Sequence, residues 1–209
     1  MSNQSIKVIV LRKIKYKDSD LIIHGLSPSG VKLSFLAKGA VKSKKRFGGG
    51  VLDPFHFIEV TIASTKSTHQ SNSHSDDLKI ITEAKFIRTF DGIKTDYDRL
   101  QLGYYFLEAI NKVTQQGESQ DSALYDLLGH SLITLENAVD LNLLKSQFVL
   151  KFLMQQGVLE TELWMKGLLS NSFAQVQSWS YEEKKILNFV NLNKLFEIMK
   201  NYILSAQAH

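Results

Sequence analysis

The sequence predicts an α+β protein: a small five-stranded β-barrel followed by an all-helical part. Three observations carry that prediction. The period of the apolar residues switches near residue 90, from the two-residue alternation of strands to helical spacing. Five short β-branched runs crowd into the residues before the switch, with no helical pattern longer than a turn or two among them. Serine-, glycine- and proline-containing segments fall between several of those runs, where a closed or nearly closed barrel needs its connections.

The runs are IKVIVL (6–11), DLIIHGL (20–26), VKLSFLA (31–37), FHFIEVTI (55–62) and LKIITEAKFI (78–87). SPSG (27–30) joins the second to the third with turn chemistry and predicts a hairpin. STKSTHQSNSHSDD (64–77) has too little apolar surface to bury and is expected to be a loop. Its His69 and His74 read as solvated side chains rather than metal ligands, and Asp76 and Asp77, like Asp18 and Asp20, as turn residues.

Beyond the switch, YDRLQLGYYFLEAINKVTQQG (97–117) sets Leu100, Tyr104, Leu107 and Ile110 along one stripe, with Gly117 as a stop. SALYDLLGHSLITLENA (122–138) and LNLLKSQFVLKFLMQQG (141–157) repeat the pattern, the latter ending at another glycine. ETELWMKGLL (160–169) is shorter, and YEEKKILNFVNLNKLFEIMKNYIL (181–204) supplies one or two more helices behind Ser180 as N-cap. His130 reads as a packed or surface histidine. The expected division is a barrel domain over 1–88 and a helical domain over 89–209.

Composition narrows the function. The 209 residues contain no cysteine, which excludes disulfides and thiolate metal sites and fits a reducing compartment. There is no apolar run of about eighteen residues, and the first apolar stretch is too short for a signal peptide, so a soluble cytoplasmic protein without membrane contact is expected. Charge is unevenly spread. Residues 1–90 carry fifteen Lys/Arg against seven Asp/Glu, whereas residues 91–209 carry ten against fourteen. A basic half points to an anionic partner, of which nucleic acid is the commonest.

The charge is densest in AKGAVKSKKRFGGGVLDPFHFIEV (37–60), where Lys38, Lys42, Lys44, Lys45 and Arg46 fall within nine positions ahead of Gly48, Gly49 and Gly50. On a small barrel such a loop suits a single strand: cations track phosphates, and glycine lets backbone approach them. Phe47 has two readings, a platform for stacking bases or a plug for the barrel end. LRKIKYK (11–17), if extended, sets Lys13, Lys15 and Lys17 on one face and Arg12, Ile14 and Tyr16 on the other. The candidate DNA-binding set is therefore Arg12, Lys13, Lys15, Lys17, Lys38, Lys42, Lys44, Lys45, Arg46, Phe47, Gly48 and Gly49. The glycines are not a phosphate-binding P-loop, because no Lys-Ser or Lys-Thr follows at the required spacing. No HExxH, GxSxG, paired carboxylates on an ordered element or cysteine nucleophile occurs, so catalytic residues, cofactor and metal are all expected to be absent.

Asp20-Leu21, Ser29-Gly30, Ala37-Lys38-Gly39-Ala40, Arg46-Phe47-Gly48-Gly49 and Leu52-Asp53-Pro54-Phe55 follow one another in this order. As a set they resemble the RecO family of bacterial recombination mediators. Looser matches are Tyr104 with Glu108, and FVLKFLMQQG (148–157). It implies an amino-terminal OB-fold followed by a helical domain. It further implies binding of single- and double-stranded DNA and annealing of complementary strands. With RecR, and often RecF, such proteins help load RecA onto strands coated by single-strand-binding protein, whose acidic carboxy-terminal tail meets the helical part in some members; nucleoid association would follow. Many members carry a four-cysteine zinc site after the glycine corresponding to Gly157. Here VLETELWMKGLLSNSFAQVQSW has none, so packing of Leu163, Trp164, Leu168, Phe173 and Trp179 is expected in its place. The chain also looks short at its end for this family. Two alternatives fit the same residues: a scaffold whose basic face takes an acidic peptide, and an RNA-binding OB protein.

Overall fold

The computed structural model of the protein describes residues 4–63, 78–115 and 122–206. These divide into two compact units, one holding the chain through Thr89 with Thr114, Gln115 and Ser122, the other holding Phe90–Val113 and the residues from Ala123 onward. His69, His74, Asp76, Asp77 and Gly117 lie outside the described residues.

The first unit is built from β1 (Gln4–Tyr16), β2 (Asp20–Leu26), β3 (Lys32–Ala37), β4 (Phe57–Ile62) and β5 (Lys79–Arg88), closed in the order β1-β2-β3-β5-β4. A single helical turn, α1 (Lys44–Phe47), links β3 to β4. Five strands in this ring make an OB-fold, as the sequence predicts. The β3–β5 pair is parallel, Phe35, Leu36 and Ala37 matching Lys79, Ile80 and Ile81.

β1 is longer than IKVIVL. Its first half pairs with β4 from Gln4 to Ile9, and its second half pairs with β2 out to Tyr16. The register shifts between Val10 and Arg12, leaving Leu11 as a bulge that lets one strand serve two neighbours. SPSG makes its turn: Gly30 N–H donates to Ser27 O at 2.9 Å, and Ser27 N–H to Val31 O at 3.0 Å. Val8, Val10, Ile23, Phe35, Ile58 and Val60 fill the interior. Gly25 faces Val8 so closely that a Cβ there would lie 2.8 Å from Val8 Cγ2. That position admits no side chain.

The second unit begins with α2 (Asp91–Lys94) and α3 (Tyr97–Val113). α4 (Ala123–Leu135) and α5 (Leu141–Gln155) follow, then a 3-10 turn at Leu163–Met165. The chain continues through α6 (Lys166–Ser170), α7 (Phe173–Gln177), α8 (Tyr181–Lys184) and α9 (Phe189–Ser205). α5 is buried nearly all round, and stacked Phe106, Phe148 and Phe152 form the centre of this core. On α3 the buried face is Leu102, Phe106, Leu107, Ala109 and Ile110, and Tyr104 is 47% exposed. The predicted stripe through Tyr104 is therefore rotated from the real one. The helix offers apolar residues at two phases, and packing selects the one carrying Phe106. α5 stops as predicted at Gly157, whose φ of +67° accompanies N–H bonds from Gly157 to Met154 O and from Val158 to Leu153 O.

The cysteine-free stretch after Gly157 is ordered by polar contacts as well as apolar ones. Leu168 and Phe173 are buried as expected, but Leu163 is 78% exposed. Gln147 Nε2 donates to the carbonyls of Leu168 and Asn171, both at 2.9 Å. Lys151 Nζ donates to those of Leu169 at 3.1 Å and Asn171 at 3.0 Å. Two side chains of α5 thus satisfy the free carbonyls at the end of α6. Burial pushes the Lys151 ammonium below its ordinary pKa.

Candidate nucleic-acid interface

The basic loop is held by its own backbone. Gly39, at φ +67°, donates its N–H to Asp20 Oδ1 at 2.8 Å, and Val41 N–H donates to Ser19 O at 3.0 Å. These two bonds fasten the segment after β3 to the turn between β1 and β2. Ser43 caps α1, its Oγ accepting from Arg46 N–H at 3.4 Å. The Arg46 guanidinium folds back, Nε donating to Ser43 Oγ at 3.3 Å and Nη2 to Lys38 O at 3.1 Å. Lys38, Lys42 and Arg46 are thereby brought to the turn that carries Lys17. α1 also packs against β5.

Six lysines of the candidate set, Lys15, Lys17, Lys38, Lys42, Lys44 and Lys45, are exposed. Among the described residues none of them has a carboxylate within ion-pair distance. Like charges concentrated without internal partners raise the local positive potential, which an external polyanion relieves.

Several members of the set have different surroundings from those the sequence suggests. Lys13 is paired with Asp53, so its charge is partly compensated. Lys17 stands beyond the end of β1 with φ 54°, so the predicted alternation of faces ends at Tyr16. Its ammonium lies 5.3 Å from the Tyr16 ring centroid. Arg12 pairs across the strands with His24 and is exposed.

Phe47 is 6% exposed and belongs to the barrel core with Val51 and Leu52. Of its two readings the packing favours the plug, because a buried ring offers no face to a base. Gly48 is explained by the fold itself: a Cβ would fall 2.1 Å from Lys44 O. Gly49 has φ +66°, and a Cβ there would lie 3.7 Å from Cε2 of Phe86.

Phe86 is the residue that sequence reasoning passes over. It lies inside a strand-like run, where alternation assigns a face but not an exposure. In the structure it pairs with Ile58 on β4 yet is 42% exposed. Its ring meets that of buried His56 edge-on, with centroids 5.0 Å apart.

In the helical unit a pocket of about 350 Å³ opens between α3, α5 and α9, lined by Tyr105, Lys112, Lys145, Phe196, Met199 and Lys200 among others. Lys145 Nζ lies 4.9 Å from the Tyr105 centroid and 5.0 Å from that of Phe196. Burial pushes the Tyr105 hydroxyl up to about 12, which keeps it neutral. Among the described residues no cluster of His, Asp and Glu is arranged to hold a metal, and no helix is long and apolar enough to cross a membrane.

Comparison with known proteins agrees with this geometry. Residues 1–90 match the family described as Recombination protein O N terminal. The chain is 30% identical over 151 residues to the DNA repair protein RecO of Desulfatibacillum aliphaticivorans, covering 72% of this chain and 55% of that one. It is 28% identical over 162 residues to the protein of that name from Desulfosudis oleivorans, covering 76% and 58%. It is 27% identical over 208 residues to that of Alkaliphilus metalliredigens, covering 94% and 78%. The chain thus spans little more than half the length of the first two. A closed OB barrel over the matched residues, with helices beyond it, joins these likenesses into one conclusion: the chain belongs to the RecO family.

Proposed function

We propose that this protein is a DNA-binding mediator of recombination in DNA repair. It binds single- and double-stranded DNA on the basic surface of the barrel and anneals complementary strands. With RecR and RecF it helps load RecA onto DNA coated by single-strand-binding protein. The observation that carries the reading is the group of six exposed lysines without carboxylate partners among the described residues. Annealing makes and breaks no covalent bond. Two strands repel through their phosphates, and a shared cationic surface lowers that repulsion while they test register.

The pocket of the helical unit supports a contact with the acidic tail of the coating protein. Lys112, Lys145 and Lys200 line it together with Phe196 and Met199, which suits an anionic peptide that carries apolar side chains. Lys112 is already paired with Glu108 at 2.7 Å, so Lys145 and Lys200 are the charges offered.

The test is strand annealing on bare oligonucleotides and on the same strands coated with single-strand-binding protein. Reversing Lys44, Lys45 and Arg46 to Glu is expected to abolish gel-shift binding and annealing on both templates without unfolding the barrel. Unchanged affinity at low salt would retire the loop as the DNA site.

A further inference from the structure

We propose that Phe86 on β5 is the stacking platform for an unpaired base, so that it adds affinity for single strands and not for duplex. This rests on the reading of the barrel as a DNA-binding surface and assigns that surface its aromatic contact. Base stacking needs an aromatic face open to solvent, held in a fixed orientation, beside cations that take the phosphates. Phe47 fails the first requirement because it is buried.

Among the described residues of the barrel unit two aromatic rings are exposed, Tyr16 and Phe86. Tyr16 has the Lys17 ammonium over its ring, so one face is occupied. Phe86 meets the other requirements. The edge-on contact with buried His56 fixes its plane. α1, with Lys44, Lys45 and Arg46, packs on the same strand, and exposed Lys85, paired with Glu83 at 3.5 Å, precedes it in sequence. Gly49 passes beside the ring without a side chain, so nothing grows across it from the loop. Duplex bases are already stacked inside the helix and present only edges and phosphates, so the ring gains nothing from them.

The experiment compares Phe86→Ala, Phe86→Leu and Phe86→Trp with the Lys44, Lys45 and Arg46 reversal. Each is titrated against a labelled thymidine homopolymer and against a duplex of the same length, with melting temperature as the folding control. Phe86→Ala is expected to weaken the single strand roughly 5- to 150-fold and the duplex less than about 2-fold. Phe86→Trp is expected to retain single-strand affinity. Should the alanine variant melt early, Phe86→Leu decides, because it keeps apolar volume and loses the π face; the same selective deficit is expected. Equal losses on both ligands, or no loss on the single strand, overturn the proposal. The two readings fail separately. A reversal variant without effect sinks the cationic surface whatever Phe86→Ala does, and an alanine variant without a single-strand deficit sinks the stacking whatever the reversal does.

Discussion

Phe47 follows Arg46 and precedes three glycines in sequence, and its ring ends in the core with Ala40, Val51 and Leu52. Removing it empties volume that Val51 and Leu52 cannot refill, so Phe47→Ala is expected to cost about 3–5 kcal/mol. Urea denaturation of the purified chain reads this directly, and an unchanged midpoint would refute the plug. At this scale the charges were legible, because an exposed lysine needs no partner to be recognised as a candidate. Phe86 was not legible. Whether a ring at a strand's end is covered depends on what crosses over it, and here that neighbour is Gly49, far away in sequence. In sequence Gly48 offers freedom for an approaching phosphate; in the structure a Cβ there would also collide with Lys44 O inside the chain's own turn.

Helix α5 shows how an element is bounded by chemistry visible in its residues. Asp140 caps its start, accepting from Leu143 N–H at 3.0 Å and pairing with Lys184 at 3.0 Å. Burial would raise its carboxyl, but the Leu143 N–H and the Lys184 ammonium outweigh that and hold it below the usual carboxylate range. A depressed folded pKa gives stability that is present above the unfolded value and lost as pH falls through the folded one. Asp140→Asn keeps a cap oxygen but not the charge. Wild type is expected to exceed it by about 0.5–1 kcal/mol near neutrality, with the difference shrinking as pH falls below the ordinary carboxylate range. Urea midpoints along a pH series test this; a gap independent of pH would show that the charge is idle. The end of α5 is legible at Gly157, whereas its start is set by the Asp140 cap, which the apolar pattern alone does not single out. The buried face of α3 is not legible either, since Tyr104 and Phe106 are both apolar enough to lead and only the packed neighbours choose. β1 likewise outran its apolar run, because Lys13 and Lys15 extend a strand by pairing with β2 rather than by being buried.

On the scale of the whole molecule, the excess of Lys/Arg in the first ninety residues is carried by a small barrel, while the helical unit is net acidic. About five phosphate contacts to a single strand give a slope of log affinity against log salt of about −3.5, and neutralising Lys44, Lys45 and Arg46 to Gln should flatten it by about 2. Fluorescence anisotropy between low and physiological salt measures both, and salt-independent affinity would remove the electrostatic account. The two-part architecture was legible in the change of period. The strand order was not, since alternation says which residues face inward but nothing of which strands meet.

The ring is fastened by two seams, β1 to β4 and β3 to β5, each joining stretches far apart along the chain. Distant stretches meet after near ones, because the intervening chain must first surrender its freedom. Ala37 is stitched into the second seam against Ile81, and Lys38 is the next residue along. A chain still emerging from synthesis therefore carries its lysines on an unshaped tether. Only closure of the last seam gives them a fixed outline on the barrel surface.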